Sequence, residues 1–150
     1  MKPSPEVTVV WAALNVAHRT IHRAMNAELK ANGLPSLQWY DVLWELDRAE
    51  HGMRPFELEK CLIFDQYNIS RLLRRMIEKN LVDETAFGDD GRGKVVRITA
   101  EGREMRLRMW EIYGPLIQKH VGKIAEAHDA KEVGSALNSL FDAELRRPRQ

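Results

Sequence analysis

A mainly helical fold with one small β-hairpin is predicted: a winged helix-turn-helix flanked by N- and C-terminal dimerisation helices. Three observations in the 150 residues predict it. From Asp65 to Lys79 a 3.6-residue period places Ile69, Leu72, Leu73 and Met76 on one face and Tyr67, Arg71, Arg74 and Arg75 on the opposite one, with Asn68 at the edge. Two strand-patterned runs, Leu81 to Phe87 and Lys94 to Ile98, follow around Asp90-Gly91, a pair that supplies the positive φ angles of a tight hairpin turn. Long amphipathic segments stand on either side, with more apolar stripe than three helices and a hairpin can bury.

In chain order, Val7, Val10, Leu14, Ala17, Ile21, Met25 and Leu29 alternate steps of three and four, which predicts a long amphipathic helix. Trp11 and His18 lie along one edge of that stripe, with His22 one turn beyond His18. Asn32-Gly33-Leu34-Pro35 stops it, and a second helix runs from near Ser36 to about Arg48. That helix has two apolar faces, Trp39/Val42/Leu43/Leu46 and Leu37/Tyr40/Trp44, leaving Gln38, Asp41, Glu45 and Arg48 for water. It should be sandwiched between two layers. Glu50 to Met53 read as a loop, Pro55 opens a short helix ending near Leu62, and Ile63-Phe64 forms the turn of the helix-turn-helix.

Asp65 is the expected cap of the next helix, and Asn80 its end, because asparagine tolerates the left-handed conformation. Arg92 and Lys94 fall at the hairpin tip. Thr99 caps a further helix with Glu101 opposing its dipole and Met105, Met109, Ile112 and Leu116 on one stripe. Gly114-Pro115 predicts a kink or break. A last helix follows Asp129 and reaches about Arg146, with Val133, Leu137, Leu140 and Phe141 as its apolar face, and residues 146–149 form a frayed tail. The organisation is one domain over 1–150, with a DNA-binding part at about 34–99 and dimerisation helices at about 6–31 and 100–146.

Net charge is only +1 and the pI about 7.9, so the total decides nothing about a nucleic-acid partner. Direction matters more than count. A helix with a basic outer face suits the major groove, and an arginine at a hairpin tip suits phosphates or the minor groove. The candidate DNA contacts are Tyr67, Asn68, Ser70, Arg71, Arg74, Arg75, Arg92 and Lys94. An isolated Arg-Leu-Leu-Arg-Arg run is more often a solvated surface; the hairpin behind it shifts the balance. A twofold dimer then presents two such helices about 34 Å apart to a near-palindromic site on double-stranded DNA.

Other chemistries find less support. Cys61 is the only cysteine, which excludes an intrachain disulfide and fits a reducing compartment. No membrane span or signal peptide is found, and the expected location is the cytoplasm. His18 and His22 have chelating spacing without a third ligand, so no metal is expected. No phosphate loop, nucleophile elbow or carboxylate pair stands in a motif context, and the reading is not an enzyme, with no cofactor. The second apolar face, Leu37, Tyr40 and Trp44, can meet Trp11 and His18 around a small-molecule pocket; the alternative is that these aromatics are core.

Several pieces, taken in order, resemble the MarR family of bacterial winged helix-turn-helix transcriptional regulators over nearly the whole chain. They are Gly33-Leu34-Pro35-Ser36-Leu37-Gln38-Trp39 with Val42-Leu43 and Leu46; Ser70-Arg71-Leu72-Leu73-Arg74-Arg75-Met76 with Glu78-Lys79 and Leu81-Val82; Asp90-Gly91-Arg92; and Ile98-Thr99-Ala100-Glu101-Gly102. The resemblance implies a homodimer held by its terminal helices, and many relatives are repressors released by phenolic or other aromatic compounds. It implies that Arg71 and Arg74 hold phosphates or base edges, that Arg92 enters the minor groove and that Asp90 supports the wing. Asn80 departs from the usual glycine, and Glu84 stands where a basic residue is common. The function expected is a sequence-specific homodimeric repressor relieved by a small, aromatic ligand. The alternative is a winged dimerisation or protein-interaction module without specific DNA binding.

Overall fold

The computed structural model describes residues 1–64, 68–88 and 93–141, and these form six helices and two strands. The first helix, α1 (Pro5–Ala31), starts where Ser4 Oγ accepts the Val7 N–H and where Pro5 loses nothing by lacking a donor. Only its second half joins the core: Met25 and Leu29 are buried, whereas Val7, Val10 and Trp11 stay exposed. At the centre, α2 (Leu37–Asp47) buries Leu37, Tyr40, Val42, Leu43 and Leu46 between α1 on one side and the winged unit on the other. The sandwich predicted for this helix is therefore present. Its expected water-facing side is corrected at one position, since Asp41 is completely buried.

The short helix α3 (Pro55–Cys61) leads through Ile63-Phe64 toward α4 (Ile69–Glu78). The start of α4 is later than expected: Asn68 is the cap, its Oδ1 accepting the Arg71 N–H at 2.9 Å. Asp65, the predicted cap, lies outside the described residues. At the other end Asn80 takes a left-handed φ of +57° and donates its N–H to Ile77 O, so the expected helix stop is observed.

The wing strands are β1 (Val82–Phe87) and β2 (Gly93–Ile98), antiparallel with Val82 opposite Ile98 and Phe87 opposite Gly93. Residues 50–53 are more than a loop, because Met53 exchanges both backbone hydrogen bonds with Val96 and adds a one-residue third rung. Gly52 permits this with a φ of +77°, where a Cβ would strike the β2 backbone and the Arg97 side chain.

Helix α5 (Ala100–Ala127) is capped by Thr99, whose Oγ1 accepts from the Gly102 N–H and donates to Asn80 O at 2.7 Å. It runs unbroken through Pro115, so the expected break is absent. Proline removes one internal bond, but Ile112, Leu116 and Ile117 hold both flanks against the core. Asp47 at the end of α2 pairs with Arg103 at 3.0 Å and Arg106 at 2.7 Å, fastening α2 to α5. Helix α6 (Ala130–Asn138) stops well before the predicted Arg146 and leaves Leu137, Leu140 and Phe141 exposed. The expected tail at 146–149 lies outside the described residues. Among the described residues, no helix is long and apolar enough to cross a membrane.

Candidate nucleic-acid interface and adjoining pocket

The inner face of α4 is anchored by Leu72, Leu73 and Met76, all buried, so its opposite face is forced outward. Ser70, Arg71 and Arg74 are exposed there, with Asn68 at the cap. Arg75 is also exposed, but its guanidinium sits 5.6 Å above the Trp39 ring. The cation therefore leans back onto α2 and packs as well as faces solvent. Tyr67 lies outside the described residues.

On the hairpin, Lys94 is exposed and forms an ion pair with Glu84 at 2.9 Å. Glu84 is the residue that departs from the usual basic pattern, and its carboxylate offsets the Lys94 charge on this wing face. Arg97 donates to Thr85 Oγ1 at 2.7 Å across the strands. Arg92 and its expected support Asp90 lie outside the described residues.

Beside the reading unit, a pocket of about 300 Å³ opens between α1, α2 and α5. Its walls are His18, Ile21, His22 and Met25 from α1, Leu37 from α2, Phe64, and Tyr113, Ile117 and Val121 from α5. Of the residues expected to line a pocket, His18 and Leu37 are brought together here. Trp11 is 68% exposed and lies off this cavity. Tyr40 and Trp44 form an aromatic cluster with Trp110 and Tyr113 instead, with ring centroids 5.0–6.5 Å apart. Trp44 is flanked by the Arg48 and Arg106 guanidinium groups at 5.7 and 5.5 Å. These two aromatics thus pack against α5 and do not line this cavity.

The imidazoles of His18 and His22 stack at 5.6 Å. Burial, and then the neighbouring His18, hold the His22 pKa below its usual value. Asn26 bridges this region: its Nδ2 lies 3.3 Å from His22 Nδ1 while its Oδ1 accepts the Leu37 N–H at 2.8 Å, tying α1 to the start of α2. Among the described residues, no three metal-ligating side chains converge.

Two contributors were not anticipated, Asp41 and Phe64, while His22, noted beside His18 but not placed in the pocket, joins its wall. The signal for Asp41 was weak, a single carboxylate on an otherwise apolar helix. For Phe64 it was an aromatic residue in a turn, where solvent-facing residues are the rule.

Comparison with known proteins adds to this geometry. The model described as the MarR family matches residues 32–93, which span α2 to α4, β1 and the start of β2. A transcriptional activatory protein, BadR of Rhodopseudomonas palustris, is 28% identical over 135 residues, covering 88% of this chain and 72% of its own. An organohalide-sensing transcriptional regulator in its 2,4-dichlorophenol-bound form shares the fold with a TM-score of 0.78 at 19% identity, over 100% of this chain and 96% of that one. A mutant MarR from E. coli complexed with operator DNA shares it at 0.68 and 21% identity, over 93% and 96%. The family model and the curated relative make this chain similar to MarR-family regulators, and the solved structures share the winged fold expected from its sequence.

Proposed function

We propose that this chain is a transcriptional regulator of the MarR kind, a homodimeric repressor that reads a near-palindromic DNA site and is relieved by a small, largely apolar ligand. The observation that carries the DNA reading is the outward face of α4, where Arg71 and Arg74 stand opposite the buried Leu72, Leu73 and Met76. Those arginines supply phosphate or base-edge contacts, with Asn68 and Ser70 beside them; Tyr67, Asp90 and Arg92, outside the described residues, are proposed for the same interface from the sequence alone. Dimerisation is supported by the apolar side chains that the single chain leaves uncovered at both ends: Val7, Val10 and Trp11 on α1, and Leu137, Leu140 and Phe141 beyond α5. The same exposure supports one domain with its dimerisation helices at the two ends.

The ligand reading rests on the 300 Å³ pocket with its apolar walls and two imidazoles. The organohalide-sensing neighbour, bound to 2,4-dichlorophenol, supports a small aromatic occupant. The sign of regulation is the part on which the BadR relative points the other way, since that protein is an activator.

Fluorescence anisotropy against the chain's own upstream DNA and unrelated DNA, at two salt concentrations, tests the proposal. Preference for its own DNA with a log–log salt slope of several units supports it. A promoter reporter then separates repression from activation. A second reading, a winged interaction module without specific DNA binding, is favoured by the Lys94–Glu84 pair, which reduces the cationic field of the wing. Equal, salt-insensitive binding to both DNAs supports that reading.

A further inference from the structure

Asp41 is fully buried on α2, and burying a carboxylate is costly unless hydrogen bonds replace its water. Among the described residues the replacements include two successive backbone amides: Oδ2 accepts the Ile63 N–H at 2.6 Å and the Phe64 N–H at 3.0 Å. Both amides belong to the turn after α3, and Asn68, the cap of α4, is four residues beyond Phe64. The Phe64 ring leaves that turn toward the pocket, where its centroid lies 4.9 Å from the His22 ring and where Leu37 and Ile117 share its wall. A two-residue turn is thus clamped to α2 through its backbone and to the pocket through its side chain.

We propose that Asp41 and Phe64 are positioning residues that couple the contents of this pocket to the setting of α4. The inference rests on the DNA reading given above and deepens it. Asp41 holds Ile63 and Phe64, the last described residues before the α4 cap, in register with α2. Phe64 is the wall that an occupant must displace. In a close-packed interior a ring cannot yield alone, and its movement is passed to the backbone that carries it. An occupant therefore favours a conformer in which the Asp41 bonds loosen and α4 enters at a different angle, and it shifts the population by its differential affinity for that conformer.

The test uses a side chain as the occupant. Ile117→Trp extends an indole into the pocket from α5 without altering a residue of the turn. Its affinity for the chain's own upstream DNA should fall at least tenfold, with melting temperature and oligomeric state retained. In a Phe64→Ala background the same substitution should cost less than threefold, because the displaced ring is gone. Asp41→Asn keeps the side-chain size; it should lower the ratio of specific to non-specific DNA affinity and speed amide exchange at Ile63 and Phe64 at least tenfold. A purely structural Asp41 would lower stability and leave that ratio unchanged. An Ile117→Trp affinity within threefold of wild type, or an equal loss in both backgrounds, overturns the coupling. Where wild type does not prefer its own DNA, the DNA reading itself falls. The coupling is then decided by exchange alone: Ile117→Trp must speed the Ile63 and Phe64 amides in wild type and leave them unchanged in Phe64→Ala.

Discussion

Gly102→Ala is a small change whose cost follows from contacts at the junction of wing and α5. A Cβ at this position would overlap the Leu81 carbonyl oxygen and lie 2.8 Å from Ile98 Cγ1, whereas carbon contacts settle at about 3.5–4.0 Å. The carbonyl has little freedom to retreat, because it also accepts the Thr99 N–H at 3.1 Å just before α5 begins. The first turn of α5 must lift away from the base of the hairpin. Overpacking of this kind costs about 1–3 kcal/mol, weakening the Thr99 bond adds about 1 kcal/mol, and replacing glycine by alanine in a helix returns about 1 kcal/mol. The net is a destabilisation of about 2 kcal/mol, or about 4–8 °C in melting temperature for a chain of this size. Circular-dichroism melts at one protein concentration measure it, since association makes the midpoint concentration-dependent. Gly134→Ala is the control: nothing lies within 4 Å of its Cβ position, so propensity alone should raise stability by up to about 1 kcal/mol. A Gly102→Ala protein that melts at or above wild type refutes the steric reasoning.

Three further outcomes are expected. Arg71→Ala should reduce the log–log salt slope of DNA binding by about one unit if the guanidinium holds a phosphate, and an unchanged slope and affinity removes it from the interface. Asn80→Ala should cost about 1 kcal/mol in urea unfolding, because φ is +57° there, while Asn80→Gly should match or exceed wild type; equal stability for all three contradicts the assigned helix stop. His22 is held below its usual 6.5 by burial and His18, so between that value and the lower folded one the unfolded chain binds more protons. Its contribution is complete above the unfolded pKa and is lost as pH falls toward the folded value. Urea midpoints should therefore drop between about pH 7.5 and about pH 5.5 more in wild type than in His22→Gln, and identical drops dismiss the effect.

The features legible in the sequence were those settled within a few residues. Thr99 caps α5 because its hydroxyl needs only the amide three residues on, and Asn80 ends α4 because one backbone angle is enough. The alternation of Leu72, Leu73 and Met76 with Arg71 and Arg74 fixed the inward and outward faces of α4 before any partner was known. Sequence reasoning places the start of α4 at Asp65, three residues early, because local chemistry suits that residue as a cap equally well, and the structure caps the helix with Asn68.

Pairings between distant segments were decided only in three dimensions. Asp41 has the composition of a solvent-facing residue, yet two amides more than twenty positions later make its burial tolerable. Met53 became a strand rung only because Val96 lay beside it. Arg75 leaned onto Trp39, and Lys94 met Glu84. Trp11, Tyr40 and Trp44 had the right character for a pocket, but His22 and Phe64 occupy its walls. Helical periodicity tells which side of an element is apolar and is silent on the height at which two elements meet. By itself the sequence determined the winged helical class, the faces of its helices and their stops. The tertiary structure decided the pocket, the buried carboxylate and the orientation of the cations, because each depends on groups brought together by the packing of helices far apart in the chain.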